Sequence, residues 1–255
     1  VTVIAVRLAV GKSALTTQII GNMAKKGLKV AYFNLEMSDK QVYERFISRL
    51  AEIGLTRIRR AKAFLGDEQE KFNQANEEMS DYQLWIASGT VSPREIKSEC
   101  RHQNFDVIVV DYLQLLMPDN RYSGRNEEVA SISRGLKSVA RDLNTHVIAL
   151  SQITRASESR DTKEPTMAEL RESGAIEQDA SNIIMLWNLS DNDNGAKGVK
   201  IEKNRQGMTM REAMEFDGDH MKFVEIEKPF NDVVAEIKKK ERGDGFKPYN
   251  GDCPF

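Results

Sequence analysis

Short runs of β-branched and aliphatic residues recur along this chain, and most are followed by a stretch long enough for an amphipathic helix. That layout leaves few folds open. A strand covered on both faces reads as a near-continuous apolar run, and two parallel strands need a crossover of a dozen or more residues between them. Val1–Val6, Lys29–Leu35, Gln83–Ala87, Val107–Asp111, Val147–Ser151 and Asn182–Trp187 are runs of this kind with spacers of that length. The expected fold class is therefore α/β, a largely parallel central sheet flanked by helices. Val199–Lys203, Arg211–Phe216 and Lys222–Ile226 follow with no room for helices between them. They are expected as antiparallel strands at the C-terminal edge of the sheet.

The helices are punctuated. Lys12–Lys26 ends at Gly27, a residue suited to the left-handed position after a helix. Ser38 can cap a helix reaching about Ile53. Ser92-Pro-Arg-Glu95 combines an N-cap, a proline at the first helical position and a glutamate two residues on, opening a helix to about Arg101. Thr166-Met-Ala-Glu169 repeats that box. Asn126–Leu143 carries Val129, Ile132, Leu136, Val139 and Leu143 on one face. Met117–Arg125 and Arg155–Pro165 are polar, have no clear periodicity and follow central strands, at the sheet edge where open α/β proteins bind ligands. We expect one domain over 1–228 and a flexible tail over 229–255, lysine-rich at Lys238, Lys239 and Lys240, then rich in Gly, Asp and Pro.

Composition narrows the class. No stretch approaches the ~18 apolar residues of a membrane span, and the apolar N-terminus runs into Gly-Lys-Ser instead of a signal cleavage site. The two cysteines, Cys100 and Cys253, lack metal-ligand spacing and suit free thiols in a reducing, cytoplasmic setting. A net charge of −2 provides no global attraction for nucleic acid, so any such site must be a local basic surface.

Three places carry chemistry. Val10-Gly11-Lys12-Ser13-Ala14 lies between the first strand and an amphipathic helix. There the helix N-terminal amides can receive phosphates, Lys12 can reach the β/γ oxygens and the Ser13 hydroxyl can help hold Mg²⁺. The full pattern has glycine five residues before Gly11, where this chain has Val6, and a bare Gly-Lys-Ser also occurs at ordinary helix starts. Val107-Ile-Val-Val-Asp111 ends a buried-type strand in a carboxylate, suited to anchoring the metal beside the phosphates; an ordinary strand-end aspartate looks the same. Glu36, just past the second strand, can polarise a water as general base, or be a solvated strand-end acid.

Together with later segments these motifs resemble one family. Tyr32-Phe-Asn-Leu-Glu-Met-Ser38 looks like the stretch of DnaB-type replicative helicases that carries the catalytic glutamate. Asp111-Tyr-Leu-Gln-Leu115 is similar to their metal-binding motif, and Ala149-Leu-Ser-Gln152 to the one after it. Leu170-Arg-Glu-Ser-Gly-Ala-Ile-Glu-Gln-Asp-Ala180 resembles their DNA-contacting region, and Lys203-Asn-Arg205 their Lys-x-Arg pair. The likeness runs in order from about Val1 to Ile226.

The resemblance implies a RecA-like P-loop ATPase that binds ATP and Mg²⁺ and works as a homo-hexameric ring on single-stranded DNA. Primase and a helicase loader would be further partners, with no membrane involved. Lys12 and Ser13 would hold triphosphate and metal, Asp111 the metal, and Glu36 would activate water. Gln152 would sense the γ-phosphate. Lys203 and Arg205 would reach the neighbouring subunit's ATP, and Arg171, Glu172 and Gly174 would meet the DNA backbone. The family usually has Gly or Ala where Val6 stands and Pro where Leu8 stands, so a stiffer, less open loop is expected. Two rivals remain at this point: a RecA/RadA-type recombinase and a non-catalytic nucleotide-binding assembly module.

Overall fold

In a computed structural model, residues 1–7, 9–60, 64–153, 164–170, 174–190 and 195–244 are described. The described residues form a nine-stranded sheet in the order β3-β2-β4-β5-β1-β6-β7-β8-β9. Its strands are β1 (Thr2–Val6), β2 (Val30–Asn34), β3 (Leu84–Ser88), β4 (Val107–Asp111), β5 (His146–Gln152), β6 (Asn182–Asn188), β7 (Ala196–Asn204), β8 (Met210–Asp217) and β9 (Lys222–Glu225). The six strands β3, β2, β4, β5, β1 and β6 are parallel neighbours, and β7, β8 and β9 add on antiparallel. Every run expected as a strand is one.

β1 shows why the sheet is covered on both sides. Val3 and Ala5 face one core with α5 (Pro93–Cys100) and α6 (Arg125–Asp142) through Ile96, Val129, Ile132 and Leu136. Ile4 and Val6 face another with α1 (Lys12–Lys25) and α2 (Asp39–Ala51) through Ile20, Val42 and Phe46. Alternate side chains point to opposite faces, so a strand apolar at every position belongs at the centre. The two expected capping boxes at Ser38 and Ser92 are both present. Gly27, at φ 82°, ends α1, with the Leu28 amide reaching back to the Met23 carbonyl at 3.2 Å.

Some elements differ from expectation. The Thr166–Glu169 box opens a 3₁₀ turn, Met167–Leu170, and not an α-helix. Two helices without a clean apolar stripe were not anticipated, α3 (Leu55–Arg59) and α4 (Glu68–Ser80); α4 buries Ala75 against α2 in a small separate cluster. After the short α7 (Gly174–Asp179) and the antiparallel strands, α8 (Phe230–Asp244) stands where a tail from 229 was expected. Val233 is buried and Phe230 meets Trp187 edge-on at 6.0 Å, so an apolar anchor offsets the lysine-rich composition. Residues 245–255 of that expected tail lie outside the described residues, as do 155–163 of the second polar stretch. Met117–Arg125 is a loop up to the start of α6, tied down where Asp119 accepts the Arg94 amide at 3.1 Å.

Candidate active site

The C-terminal ends of β1, β2, β4 and β5 bring the motif residues to one level. Val6 is in register with Gln152, and Asn34 with Asp111. The chain leaves β1, turns through Ala9 (φ 63°) and Gly11 (φ 107°), and enters α1. Gly11 is needed there twice over: its φ is left-handed, and a Cβ would come within 2.9 Å of the Phe223 ring. Val6 is the last residue of β1, where a β-branched side chain fits the extended backbone, so the departure from glycine falls in the strand and the turn is made downstream. Leu8, the other departure, lies outside the described residues.

Lys12, the first residue of α1, projects between two carboxylates. Its Nζ lies 2.6 Å from Glu36 Oε2, 2.7 Å from Asp111 Oδ1 and 3.8 Å from the centroid of the Tyr112 ring. The two acids sit in different surroundings: Asp111 is fully buried, while the Glu36 side chain is 43% exposed. Burial pushes the Asp111 carboxyl above the usual carboxylate range, and the Lys12 ammonium opposes that shift. Tyr32, buried in the middle of β2, donates its hydroxyl to Asp111 Oδ2 at 3.2 Å; burial, then the Asp111 charge, push that phenol well up. Oδ1 of Asp111 has no aligned hydrogen-bond donor, its contact with Lys12 being off the hydrogen-bond line.

The surrounding turns fix these groups. Asn34 clamps the turn that carries Glu36, donating to the Met37 carbonyl and accepting the Met37 amide at 3.1 Å. Within the 3₁₀ turn at Leu113–Leu115, Gln114 donates to Ser151 Oγ and the Gln152 carbonyl and accepts the Gln152 amide at 3.2 Å. A cavity of about 320 Å³ opens over α1's start, lined by Gly11, Lys12, Ser13, Ala14, Glu36 and Gln152. Val10, expected here, does not line it, its side chain being buried in the core. Val6, Arg7, Ala9, Arg45, Phe216 and Met221 complete the lining.

That donor set fits magnesium. The buried carboxylate at the end of β4, its Oδ1 now against the Lys12 ammonium, and the serine hydroxyl at the start of α1 are hard oxygen ligands, and Mg²⁺ characteristically takes one or two carboxylates and completes its shell with phosphates and water. The described residues hold no cluster of three His, Cys, Asp or Glu that could cage a metal alone.

Lys203 and Arg205 do not join this group. Lys203 on β7 pairs with Ile183, near the start of β6, and the start of β6 is level with Thr2, at the opposite end of β1 from Val6. Four residues of strand separate the two ends, about 13 Å at ~3.3 Å per residue. Lys203 is half-buried and Arg205 exposed, and both donate to backbone carbonyls of α7, Lys203 to Glu177 at 2.5 Å and Arg205 to Gln178 at 2.7 Å. Gly174 opens α7 with nothing within 4 Å of where a Cβ would be. Arg171 and Glu172 lie outside the described residues.

Sequence reasoning did not single out Tyr32, Gln114, Arg7, Arg45 or the aromatic and methionine wall from β8 and beyond. Tyr32 left a signal, because a tyrosine inside a fully buried strand needs a partner for its hydroxyl. The others become visible only when distant segments meet.

Comparison with known proteins agrees with this geometry. Residues 1–225 match the family model described as the DnaB-like helicase C terminal domain. The chain is 34% identical over 243 residues to the replicative DNA helicase DnaB of Geobacillus stearothermophilus and, to the same extent, to the replicative DNA helicase DnaC of Bacillus subtilis (strain 168). In each case 91% of this chain is covered but 53% of the relative, so the chain spans about half the length of these curated relatives. Among solved structures, one described as an ATPase domain superposes with a TM-score of 0.84 at 32% identity, covering 89% of this chain and 84% of that one. A DnaB-like replicative helicase described with its primase interactions gives 0.83 at 31%, covering 89% and 58%.

Proposed function

The chain belongs to the family of DnaB-like helicase C-terminal domains, and from that premise we propose that it is the ATP-hydrolysing motor of a ring-forming replicative DNA helicase. One observation carries the reading: Lys12 at the head of α1 bridges Glu36 and Asp111 over the mouth of a cavity. Phosphate oxygens entering there compete with both acids for the ammonium, and the amides of Lys12, Ser13 and Ala14 at the start of a 14-residue helix favour negative charge. Drawing Lys12 toward phosphate releases Glu36, the solvent-facing acid, to align and deprotonate a water. Asp111, held by Tyr32, would ligate Mg²⁺ with Ser13. When bound, the metal neutralises charge on the β- and γ-oxygens.

Gln152, which lines the cavity with its backbone locked to Gln114, would sense the γ-phosphate. Lys203 and Arg205, too far to serve their own subunit's site, would act on a neighbour's ATP in a homo-hexamer, stabilising charge on the transferring group. Arg171, Glu172 and Gly174 would track the backbone of single-stranded DNA in the ring's channel. Primase and a helicase loader are the further partners we propose, with the cytoplasm as the setting; no helix among the described residues is long and apolar enough to cross a membrane.

The test is ATP hydrolysis by the purified chain with and without single-stranded oligo-dT. We expect Mg²⁺-dependent turnover that rises with DNA. Zero turnover under both conditions, with nucleotide bound, would make the chain a binding module instead.

A further inference from the structure

The pairing of β4 with β5 ends at Val110 and Ala149, yet β5 runs on beside β1 as far as Gln152. The Ile153 amide reaches the Val6 carbonyl at 3.2 Å, on the β1 side. Successive peptide groups of a strand point to alternate sides, so the amide and carbonyl of Gln152 face the side that β4 has left. Peptide groups buried without a partner cost folding free energy. Gln114 supplies the partner. Its Oε1 accepts the Gln152 amide at 3.2 Å, and its Nε2 donates to the Gln152 carbonyl at 3.1 Å and to Ser151 Oγ at 3.0 Å. One carboxamide thus takes the place of a strand at the end of β5.

The turn that carries Gln114 is itself held firmly. Asp111, the buried acid beside Lys12, ends β4 three positions before it. Leu113 and Leu116, on either side of Gln114, are buried in the same core as Ala149 and Ile153. The Gln114 carbonyl accepts Arg125 Nη2 at 2.5 Å, from the first residue of α6. Gln114 therefore has little freedom, and neither has the peptide it grips. That peptide belongs to the residue whose side chain lines the cavity with Lys12 and Glu36. The grip needs a donor and an acceptor side by side at this length, which a glutamine carboxamide has. Methionine offers no donor, and an ionised glutamate would set a second acceptor against the Gln152 carbonyl.

We infer that Gln114 is a positioning residue for ATP hydrolysis, its carboxamide holding the Gln152 peptide so that the Gln152 side chain keeps its place relative to Asp111 and Lys12. The inference rests on the motor reading above and deepens it. A reacting site responds to smaller errors than a fold does. A displacement of about 1 Å can cost about 10²-fold in rate, whereas water can take over lost hydrogen bonds at little cost to the fold. Loosening Gln152 should thus slow the chemical step and leave nucleotide binding, which Lys12 and the α1 amides carry, in place.

The experiment follows release of labelled phosphate from ATP, with oligo-dT present, for the wild-type chain, Gln114→Met, Gln152→Ala and the double variant. Affinity for a fluorescent, non-hydrolysable ATP analogue is measured alongside. Gln114→Met should bind the analogue as the wild type does and hydrolyse ATP about 10²-fold more slowly. Because Gln114 acts through Gln152, its loss should cost nothing further once Gln152 is alanine, and the double variant should match Gln152→Ala. Independent losses would multiply, so a double variant slower than Gln152→Ala by the full Gln114→Met factor overturns the inference. So does Gln114→Met turning over at the wild-type rate, or losing affinity in step with rate. Should Gln114→Met fail to fold because the Gln152 peptide is left dry and unpaired, Gln114→Ala gives water room to reach it and goes through the same comparison. A wild-type chain that binds the analogue and hydrolyses nothing overturns the motor reading, and the inference with it.

Discussion

The parallel half of the sheet and its antiparallel edge both present cations, and they treat them in opposite ways. Lys12, at the parallel end, is mostly buried and matched by two carboxylates and an aromatic ring within one chain. Lys203, half-buried, and Arg205, exposed, lie at the antiparallel edge and meet backbone carbonyls of α7. The first arrangement holds every group needed to receive a phosphate. The second has charge and donors but lies apart from that group, with about 13 Å of strand between them at ~3.3 Å per residue. Under the proposed reading, the first would be the half of a shared site that holds the nucleotide and the second the half supplied to a neighbouring copy.

The comparison can be broken most forcefully at Arg205. Arg205→Ala should lower ATP hydrolysis by about 10³–10⁵-fold while moving the chain's own unfolding free energy by no more than about 0.5 kcal/mol, as expected for an exposed side chain. Mixing it with Lys12→Ala subunits should restore part of the rate. Absence of recovery at every mixing ratio would place Arg205 outside any shared site.

On the parallel side, Glu36→Gln should cut turnover by roughly 10²–10⁴-fold, the usual contribution of a general base, with ATP binding retained. Undiminished turnover would remove Glu36 from that role.

Lys12→Ala sharpens the contrast through pH. Burial already raises the Asp111 pKa and Lys12 opposes it, so the substitution should raise it further. A carboxyl whose folded value lies above its unfolded value of about 3.9 gives stability that is present at low pH and lost as pH rises through the raised pKa. The variant should therefore be least stable at neutral pH, by up to about 3–5 kcal/mol for an uncompensated buried charge, and recover on acidification. Denaturant midpoints flat across that window would show that Lys12 does not compensate Asp111.

The smallest expected effect is at Tyr32. Removing its hydroxyl by Tyr32→Phe takes a donor from Asp111 and should raise the Mg²⁺ concentration for half-maximal hydrolysis by about tenfold, in line with outer ligand partners elsewhere. An unchanged Mg²⁺ titration would show that this hydrogen bond does not orient the carboxylate.

Much of this was written locally. Period and length alone mark β1 through β6 as parallel strands, and burial on both faces accounts for the apolar runs of all but β3, which lies half-buried at the sheet edge. The boxes at Ser38 and Ser92 read directly as helix starts. Composition misled at α8, where two aromatic and aliphatic contacts, at Phe230 and Val233, hold down a lysine-rich helix. It was also silent on α4, whose thin stripe of Phe72, Ala75 and Met79 is set among charged and amide residues. Lys12, Asp111 and Glu36 could be picked out as residues, since each sits at a strand end or helix start that the sequence announces.

The sequence by itself determined the layered α/β class, the strand ends that carry chemistry and the kinds of side chain found there, because hydrophobic period and turn chemistry act over a few neighbouring residues. Only the tertiary structure decided that β2 and β4 stand side by side, bringing Tyr32 and Lys12 onto one carboxylate, that β9 folds back over Gly11, and that Arg7 meets Glu169 across 162 positions. Those pairings follow from strand order, which is set by how whole faces pack against one another and leaves no mark at any single position.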